Sequence, residues 1–339
     1  MSDLSSPLLN VRDLKTSFHT PAGLAPAVNG VTFSLQSGEI LGLVGESGCG
    51  KTVTALSILR LLPEHLSRQS GQIWFQGRDL MTLKPAEMLQ IRGNRIGMIF
   101  QEPMTALNPV LTIGDQISEV LRLHRGLKKT AALSEAARGL ARVGVADPER
   151  RLRQYPHQLS GGLRQRALIA MALACEPQLV IADEPTTALD VTIQAQILAL
   201  LSRLQTQLRL ALLLISHNLG VVAQITDRVA VMYAGIIVEA APTPKLFARP
   251  RHPYTRGLLA SVPRMNFQDN PENLQAIPGQ PPTLGELPAG CPFQPRCPQA
   301  SVVCSQSPPW IQVAHDHGVC CWLWQDGRGG ESHHGEDRA

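Results

Sequence analysis

One octapeptide constrains the fold of this chain more than any other segment. Residues 45–52 read Gly-Glu-Ser-Gly-Cys-Gly-Lys-Thr and match the pattern G-x-x-x-x-G-K-[ST]. A continuous apolar run, Ile40–Val44, precedes the octapeptide, and a segment with helical spacing, Thr52–Leu62, follows it. The apolar run predicts a buried parallel strand. The three segments together therefore predict a strand–loop–helix unit within an α/β sheet.

The composition of this loop predicts phosphate binding. Its glycines allow successive backbone N–H groups to face one anion, and the following helix adds the positive end of its dipole. Lys51 is expected to contact the β- and γ-phosphates of a nucleotide, and Thr52 to bind Mg²⁺. A plain glycine-rich turn is the alternative, and the flanking strand and helix argue against it. The predicted nucleotide-binding residues of the loop are Gly45, Glu46, Ser47, Gly48, Cys49, Gly50, Lys51 and Thr52.

Length and composition limit the class of protein. A chain of 339 residues with 44% hydrophobic and 17% charged residues can form one large domain with an appendage, or two domains, and is not disordered throughout. Its net charge of +4 comes without a dense basic stripe, which argues against a nucleic-acid partner. The first residues lack the pattern of a signal peptide, and the longest apolar run, 210–215, is too short to span a bilayer. We therefore expect a cytoplasmic chain that reaches a membrane only through a partner.

The hydrophobic pattern predicts an α/β fold. Apolar and polar residues alternate in Leu8–Val11 and Val31–Leu35, as in half-buried strands, whereas three later apolar runs suit buried strands. Residues 112–174 are rich in Leu, Ala and Arg with helical spacing. A parallel sheet interrupted by a helical insert explains this order. The three later runs are Ile96–Phe100, Leu179–Ala182 and Ala211–Ile215.

Two adjacent acids end one of these predicted strands. Asp183 is placed to hold Mg²⁺ and its water shell, and Glu184 is placed to orient or deprotonate an attacking water. The alternative is that both acids are ordinary caps of the next helix, but the preceding apolar run and the Lys51–Thr52 pair favour the catalytic interpretation.

A second predicted anion site follows the first by more than a hundred residues. In Leu159-Ser-Gly-Gly-Leu-Arg-Gln165, Ser160 precedes two glycines, Gly161 and Gly162, that open a predicted helix. A helix start of this kind binds anions. One γ-phosphate does not require two such starts in one chain. The second therefore suggests action on a nucleotide held by another subunit.

This segment resembles the LSGGQ signature of the ATP-binding subunits of ABC transporters. The chain departs at the fifth position, where Leu163 replaces glutamine and Gln165 follows two residues later; we interpret this as a subfamily variant. The resemblance implies a P-loop NTPase core with an antiparallel β subdomain and a helical insert. It also implies a small C-terminal extension that carries cysteines.

The resemblance implies roles for further residues. Phe18 is similar to the aromatic residue that stacks on adenine, and Gln101 to the Q-loop glutamine that senses Mg²⁺ and the membrane subunits. Asp190 is similar to the D-loop aspartate of the dimer interface, and His217 to the switch histidine at the γ-phosphate. The implied catalytic residues are Glu184, His217, Lys51 and Gln101, and the implied Mg²⁺ ligands are Thr52, Gln101 and Asp183.

Four longer segments are similar to the ATPases of oligopeptide and dipeptide importers of the peptide/nickel subfamily; they are residues 100–109, 155–162, 182–194 and 251–255. This implies an ATPase on the cytoplasmic face of a bacterial inner membrane. Its implied partners are two permeases, a second homologous ATPase and, indirectly, an extracytoplasmic binding protein. The implied domains are an ABC ATPase domain (8–248, insert about 102–174), a C-terminal region (249–324) and a disordered tail (325–339).

Three alternatives remain open from the sequence. Nickel importers, and some importers of glutathione or sugars, share the same pattern. A soluble, non-transport ABC protein usually carries two ATPase units, and this chain has one copy of each motif. A P-loop kinase or GTPase lacks the signature and the Gln101/His217 pair.

Cysteines near the C-terminus form the last candidate site. Cys291, Cys297 and Cys304 are followed by the neighbours Cys320 and Cys321. Four thiolates suit Zn²⁺ or a [4Fe–4S] cluster, although the spacing does not fit a zinc ribbon. The resemblance favours the [4Fe–4S] cluster, with Cys321 as fourth ligand because it precedes an aromatic residue. Zinc and free thiols are the alternatives.

Overall fold

A computed structural model of the chain describes residues 6–21, 23–187, 189–261 and 276–325. Most of the predicted C-terminal tail, from residue 326, lies outside these ranges, as do Ala188 and the 262–275 part of the C-terminal region. In the described ranges, two β-sheets and the helices around them form the chain.

The larger sheet has eight strands in the order β11-β12-β10-β9-β3-β8-β7-β6. The five strands from β9 to β6 are mutually parallel, and β10, β12 and β11 add antiparallel pairs at one side. The strands are β3 (Ile40–Val44), β6 (Ile96–Ile99), β7 (Leu179–Asp183), β8 (Ala211–Ser216), β9 (Arg228–Tyr233), β10 (Ile236–Pro242), β11 (Trp310–Ala314) and β12 (His317–Cys320).

The register of the parallel strands places their carboxyl ends along one edge. Val44 of β3 is opposite Ser216 of β8, and Ala182 of β7 is opposite Ile99 of β6. Ligands of open α/β sheets bind outside this edge. The loops that carry the predicted site residues therefore leave the sheet side by side.

Each central strand is buried on both faces. Leu212 and Leu214 of β8 belong to one hydrophobic core, whereas Leu213 and Ile215 belong to the other. The alternation follows from the two-residue period of a strand. Each fully buried side chain of this size contributes about 1.5–3 kcal/mol to stability, so the parallel sheet is a rigid support for the loops at its edge.

A smaller antiparallel sheet, ordered β2-β1-β4-β5, covers one of these cores. Its first two strands are longer than the predicted Leu8–Val11 and Val31–Leu35. The pairing of β1 is irregular between Val11 and Leu14, where Asp13 has a φ of 47°, and this irregularity breaks the alternation that sequence analysis relies on. The strands are β1 (Leu9–Thr20), β2 (Gly23–Leu35), β4 (Ser67–Phe75) and β5 (Arg78–Asp79).

Helices pack mainly against the other core, and five of them, α3 to α7, lie between β6 and β7. The first helix ends at Ile58 rather than near Leu62, because Arg60 adopts a left-handed φ of 51° and Pro63 disfavours helix before it. The helices are α1 (Lys51–Ile58), α2 (Pro85–Leu89), α3 (Pro103–Ala106), α4 (Ile113–Arg125), α5 (Lys129–Arg142), α6 (Pro148–Leu152), α7 (Gly161–Ala172), α8 (Val191–Leu208), α9 (Leu219–Ile225), α10 (Thr243–Ala248) and α11 (Pro253–Ala260).

The C-terminal region joins the large sheet directly. Strand β12 pairs with β10 through Glu239↔Val319 and Ala240↔Gly318, and β11 pairs with β12. The predicted fold class is confirmed: an α/β core with an antiparallel β subdomain, a helical insert and a cysteine-containing extension. Within the parts of the chain that the structure describes, no helix combines the length and apolarity needed to cross a membrane.

Candidate nucleotide-binding site

The loop between β3 and α1 packs so closely that glycine is required at two positions. A Cβ atom on Gly45 would lie 2.1 Å from the carbonyl oxygen of Met232. Gly50 has a φ of 105°, and a Cβ there would lie 2.5 Å from the carbonyl oxygen of Ala27. Both distances are impossible for a real side chain, so the loop is held against β9 and β2 before helix α1 begins at Lys51.

The ammonium of Lys51 lies over this loop. Its Nζ donates hydrogen bonds to the carbonyl oxygens of Gly45 (2.8 Å) and Glu46 (2.9 Å) and contacts the sulfur of Cys49 at 3.7 Å. The side chain is buried, with 5% of the residue exposed. Neutral carbonyls hold the charge without cancelling it, which leaves Lys51 suited to bind an anion.

Two oxygen-bearing side chains meet beside the start of α1. The Thr52 hydroxyl donates to Asp183 Oδ1 over 3.2 Å and so joins the first turn of α1 to the end of β7. Burial raises the pKa of Asp183 to about 6, and the hydrogen bond from Thr52 opposes this rise only in part. A carboxylate and a hydroxyl are hard oxygen donors of the kind that Mg²⁺ prefers, so this pair fits the predicted metal site.

Glu184 is the centre of a hydrogen-bonded cluster. Its Oε1 lies 3.0 Å from His217 Nδ1, and its Oε2 accepts hydrogen bonds from Gln101 Nε2 (3.1 Å) and Thr187 Oγ1 (2.9 Å). Burial acts to raise the pKa of Glu184, but the hydrogen bonds from His217 and Thr187 outweigh it, and the pKa is lowered. Glu184 is therefore ionised at neutral pH. The structure brings together the predicted residues Gln101, Glu184 and His217.

Glu184 also has an unusual backbone. It follows β7 with a left-handed φ of 46°, and its N–H donates to the Ile215 carbonyl of β8 over 3.0 Å. A non-glycine residue in this region costs about 1 kcal/mol or more. The hydrogen bond to Ile215 holds Glu184 in this conformation at the end of β7.

The segment around Ser160, which begins α7, and the segment around Asp190, which begins α8, lie next to each other in the fold. The Ser160 side chain caps α7 by accepting from the Leu163 N–H over 3.4 Å, and the Asp190 side chain caps α8 by accepting from the Ile193 N–H over 3.0 Å. Ser160 and Asp190 are exposed. The Cα of Gly162 is so close to Ile193 that an added Cβ would be 3.1 Å from its Cγ2. The starts of α7 and α8 therefore present one joint surface.

Phe18 lies on β1, paired with Ala25 of β2 and Ser67 of β4, and is half-buried. Two residues earlier, the Thr16 hydroxyl shares a 2.8 Å hydrogen bond with Ser57 of α1. This contact places β1 beside the helix that follows the loop. The adenine-stacking role of Phe18 stays a prediction.

The predicted [4Fe–4S] cluster is wrong. Among the described residues, no group of three or more His, Cys, Asp or Glu side chains is arranged to hold a metal ion, and this includes the four cysteines predicted as ligands. The zinc alternative lacks support for the same reason. The four predicted ligands were Cys291, Cys297, Cys304 and Cys321.

The physical reason is that these cysteines serve as packing residues. Cys291 belongs to the hydrophobic core, with Cys297 and Cys304 packed against it. Burial raises the pKa of Cys291 and Cys297, and it raises the pKa of Cys321 to about 12. At neutral pH these three cysteines are therefore neutral thiols. Cys320, the other candidate, donates from its sulfur to the Pro308 carbonyl over 3.3 Å.

Two residues that the sequence did not predict contact the loop between β3 and α1. The Tyr254 hydroxyl accepts a 2.8 Å hydrogen bond from the Glu46 N–H, and Arg296 pairs with the Glu46 carboxylate at 2.7 and 3.0 Å. Tyr254 lies in the segment 251–255, which is similar to the corresponding segment of peptide-importer ATPases, but this similarity assigned no role to Tyr254. Arg296 lies among the cysteines, and no local pattern identifies it.

Two family models match the chain. Residues 28–187 match the family described as ABC transporter, and residues 238–304 match the oligopeptide/dipeptide transporter C-terminal region. The first match contains the loop, Gln101, the signature and the acid pair. The second contains Tyr254 and Arg296.

Individual relatives match most of the chain. The dipeptide transport ATP-binding protein DppD of Bacillus subtilis is 53% identical over 95% of this chain and 96% of its own length. The oligopeptide transport ATP-binding protein OppD of Escherichia coli is 50% identical over 89% of each chain.

Solved structures show the same fold. The ATP-binding cassette MJ0796, in a dimeric post-hydrolysis state bound to ADP and Pi, has a TM-score of 0.62 and 25% identity, covering 69% of this chain and 98% of its own. The protein cbiO1 of Clostridium perfringens, part of the ABC transporter complex cbiONQ, has a TM-score of 0.61 and 25% identity, covering 72% of this chain and 92% of its own. The chain is therefore an ABC-type ATPase, and it belongs to the ATP-binding subunits of ABC transporters that carry an oligopeptide/dipeptide transporter C-terminal region.

Proposed function

We propose that this ATPase hydrolyses MgATP to power the import of dipeptides or oligopeptides through partner permeases. The observation that carries the catalytic part is the Glu184 cluster, which lies at the sheet edge beside the Thr52–Asp183 pair. The peptide substrate rests on relatives at 50–53% identity whose names specify dipeptide or oligopeptide transport.

Each residue of the site has a proposed task. Lys51 and the loop backbone bind the β- and γ-phosphates, and Thr52 and Asp183, assisted by Gln101, hold Mg²⁺, whose charge offsets that of the phosphate oxygens in the transition state. Glu184 accepts a hydrogen bond or a proton from the attacking water. His217 is the most accessible member of its cluster, with 57% of its side chain exposed, and is free to reach the γ-phosphate.

We further propose that the exposed starts of α7 and α8 act on ATP bound by a second ATPase subunit. Ser160, with Gly161 and Gly162, offers backbone N–H groups at a helix start, where anions bind. Asp190 beside it would line the subunit interface. A head-to-tail pair of subunits would complete two sites at once, in agreement with the dimeric state of MJ0796.

The proposed permease contact is the segment from Met104 to His124. It follows Gln101 directly and enters the helical insert. It exposes apolar side chains that water does not favour: Met104 is 53%, Val110 74% and Leu123 73% exposed. Such a patch suits a protein interface. The two permeases, the second ATPase and the extracytoplasmic binding protein together would place this chain at the cytoplasmic face of the inner membrane.

Reconstitution tests this function. The chain, its partner ATPase and the permeases are placed in lipid vesicles with the cognate binding protein, and ATP hydrolysis is measured with dipeptides, longer peptides or Ni²⁺ as the added solute. We expect peptides to stimulate hydrolysis and to accumulate in the vesicles, while the isolated chain hydrolyses ATP poorly. Stimulation by Ni²⁺ alone would identify a nickel importer. Full activity of the isolated chain, linear in its concentration, would contradict the shared site and favour a soluble ATPase.

A further inference from the structure

Glu46, the second residue of the phosphate-binding loop, is held at three points. Its carbonyl oxygen accepts from Lys51 Nζ, its N–H donates to the Tyr254 hydroxyl, and its carboxylate pairs with Arg296. The last two partners come from helix α11 and from the cysteine-containing segment, more than 200 residues further along the chain. The C-terminal part of the chain therefore reaches into the predicted ATP site.

The pair between Arg296 and Glu46 is bidentate and largely shielded from water. The two N–O distances are 2.7 and 3.0 Å, and the side chains are 5% and 26% exposed, respectively. The three remaining guanidinium hydrogens bond to the carbonyls of Pro278 (3.0 Å) and Ile277 (3.5 Å) and to the Tyr233 hydroxyl (3.4 Å). The hydrogen bonds to Glu46 raise the pKa of Arg296 further, so its charge is permanent. Truncating one partner of such a pair would leave an unpaired charge near the loop.

A cluster of aromatic rings fixes both contacts to Glu46. Phe293, three residues before Arg296, packs edge-on against Tyr233 with ring centroids 5.2 Å apart, and lies 5.4 Å from Tyr254. Tyr233 and Tyr254 are themselves 4.6 Å apart. These rings are almost fully buried. Arg296 and Tyr254 therefore have little freedom to move away from the loop.

A carboxylate in this loop poses an electrostatic problem. The loop is expected to bind the phosphates of ATP, and an unpaired negative charge on Glu46 would repel them and would attract Lys51 away from them. Coulomb interactions over several ångströms are weakened only partly in a half-buried site. A permanent cation held against Glu46 removes both effects.

We propose that Arg296 is a positioning residue for ATP binding, which neutralises Glu46 and fixes its place in the phosphate-binding loop. The C-terminal region is thereby part of the nucleotide site and sets its affinity. This inference rests on the proposed function of the loop as the ATP site.

The test compares MgATP affinity among variants of the full-length chain by titration calorimetry, with melting temperatures measured in parallel. Arg296→Gln should bind MgATP about tenfold more weakly, which corresponds to ~1.4 kcal/mol. Glu46→Gln should change the affinity for MgATP by less than about threefold. The double variant that carries both Glu46→Gln and Arg296→Gln should have the same affinity as Glu46→Gln alone, because removing the carboxylate removes the repulsion. In the assembled importer, Arg296→Gln should raise KM for ATP with little change in kcat.

Two controls separate this role from a merely structural one. Lys245→Met breaks the exposed pair between Lys245 and Asp316 (2.7 Å), which also joins the C-terminal strands to the core, and should leave affinity unchanged. Arg296→Lys keeps the charge and should bind MgATP within about threefold of the wild type; it also provides the comparison if Arg296→Gln does not fold.

Two results would overturn the proposal. The first is that Arg296→Gln binds MgATP with the wild-type affinity. The second is that the double variant, which carries Arg296→Gln and Glu46→Gln, binds MgATP as weakly as Arg296→Gln alone. Lys51→Ala tests the underlying assumption separately. If Lys51→Ala keeps full affinity, the loop is not the ATP site; if it loses binding while Arg296→Gln does not, only the role of Arg296 fails.

Discussion

Glu184 and Glu239 are two carboxylates that each contact a histidine, in different regions of the same sheet. Glu184, at the edge near the phosphate-binding loop, lies 3.0 Å from a His217 side chain that is 57% exposed. Glu239, on β10, lies 2.7 Å from His317 of β12, and both side chains are at least 95% buried. Glu239 also accepts from the backbone N–H groups of Arg251 and His252 (2.7 and 2.8 Å).

The difference shows how burial separates structure from chemistry. Every partner of Glu239 is enclosed, so the carboxylate has no route to a substrate and instead joins β10, β12 and the start of α11. The partners of Glu184 are half-buried (Gln101, Thr187) or exposed (His217), so a nucleotide or a water molecule can reach them. We expect substitutions of Glu239 to change stability and substitutions of Glu184 to change turnover.

The largest expected effect is on turnover. Glu184→Gln should lower the rate of ATP hydrolysis by about 100-fold or more, because the general base or water-orienting carboxylate is lost. MgATP affinity and melting temperature should stay close to wild type, since the Lys51 and Thr52 contacts remain. Hydrolysis is measured in the assembled importer. Thr187→Val, which removes one hydrogen bond to the same carboxylate, is the matched control and should cost only a few-fold. A near-normal rate in Glu184→Gln would remove Glu184 from the mechanism.

The second effect is on stability. Glu239→Gln should lower the free energy of unfolding by about 2–4 kcal/mol, because its amide cannot accept from all three buried donors. Denaturant unfolding of the full chain measures this change. Asp316→Asn, which weakens the exposed pair with Lys245, is the control and should cost less than about 1 kcal/mol. Equal stability of Glu239→Gln and wild type would show that burial alone does not give this carboxylate its structural role.

The smallest expected effect is on the pH dependence of stability, and it concerns Asp183, the neighbour of Glu184. Asp183 has its pKa raised to about 6 by burial, against an unfolded value of 3.8. The folded chain therefore holds this proton more tightly, and stability falls as pH rises from about 4 to about 6. Without nucleotide or Mg²⁺, Asp183→Asn should be more stable than wild type above pH 6, by on the order of 1–2 kcal/mol, and the difference should shrink toward pH 4. Melting temperatures across this range test the sign; a less stable variant at pH 7.5 would contradict it.

Local motifs allowed many residues of the candidate site to be predicted as neighbours. The loop, Asp183, Glu184, Gln101 and His217 each follow a strand with a recognisable apolar run, and parallel strands must end at one edge. The structure places Gln101, Glu184 and His217 in contact for that reason. Thr187 was not predicted, although it lies only three residues from Glu184, because a threonine in a turn has no distinctive pattern.

The cysteines show where spacing misled the prediction. Intervals between thiols predict a shared site only if the backbone brings the side chains to one point. Here Cys291 and its neighbours fill a hydrophobic core beside the rings of Tyr233, Tyr254 and Phe293. Packing against those rings depends on residues of β9 and α11. The spacing between the cysteines gives no information about residues that lie so far away in the sequence.

The sequence by itself determined the α/β core, the glycine-rich loop between β3 and α1 and the acid pair at the end of β7, because each depends on residues that are close along the chain. Only the tertiary structure decided which distant groups meet. Arg296 reaches Glu46 across 250 residues, and His317 reaches Glu239 across 78. No periodicity connects residues so far apart. The pairing of β12 with β10 brings His317 to Glu239, and the packing of the C-terminal region on the sheet brings Arg296 to the loop that precedes α1.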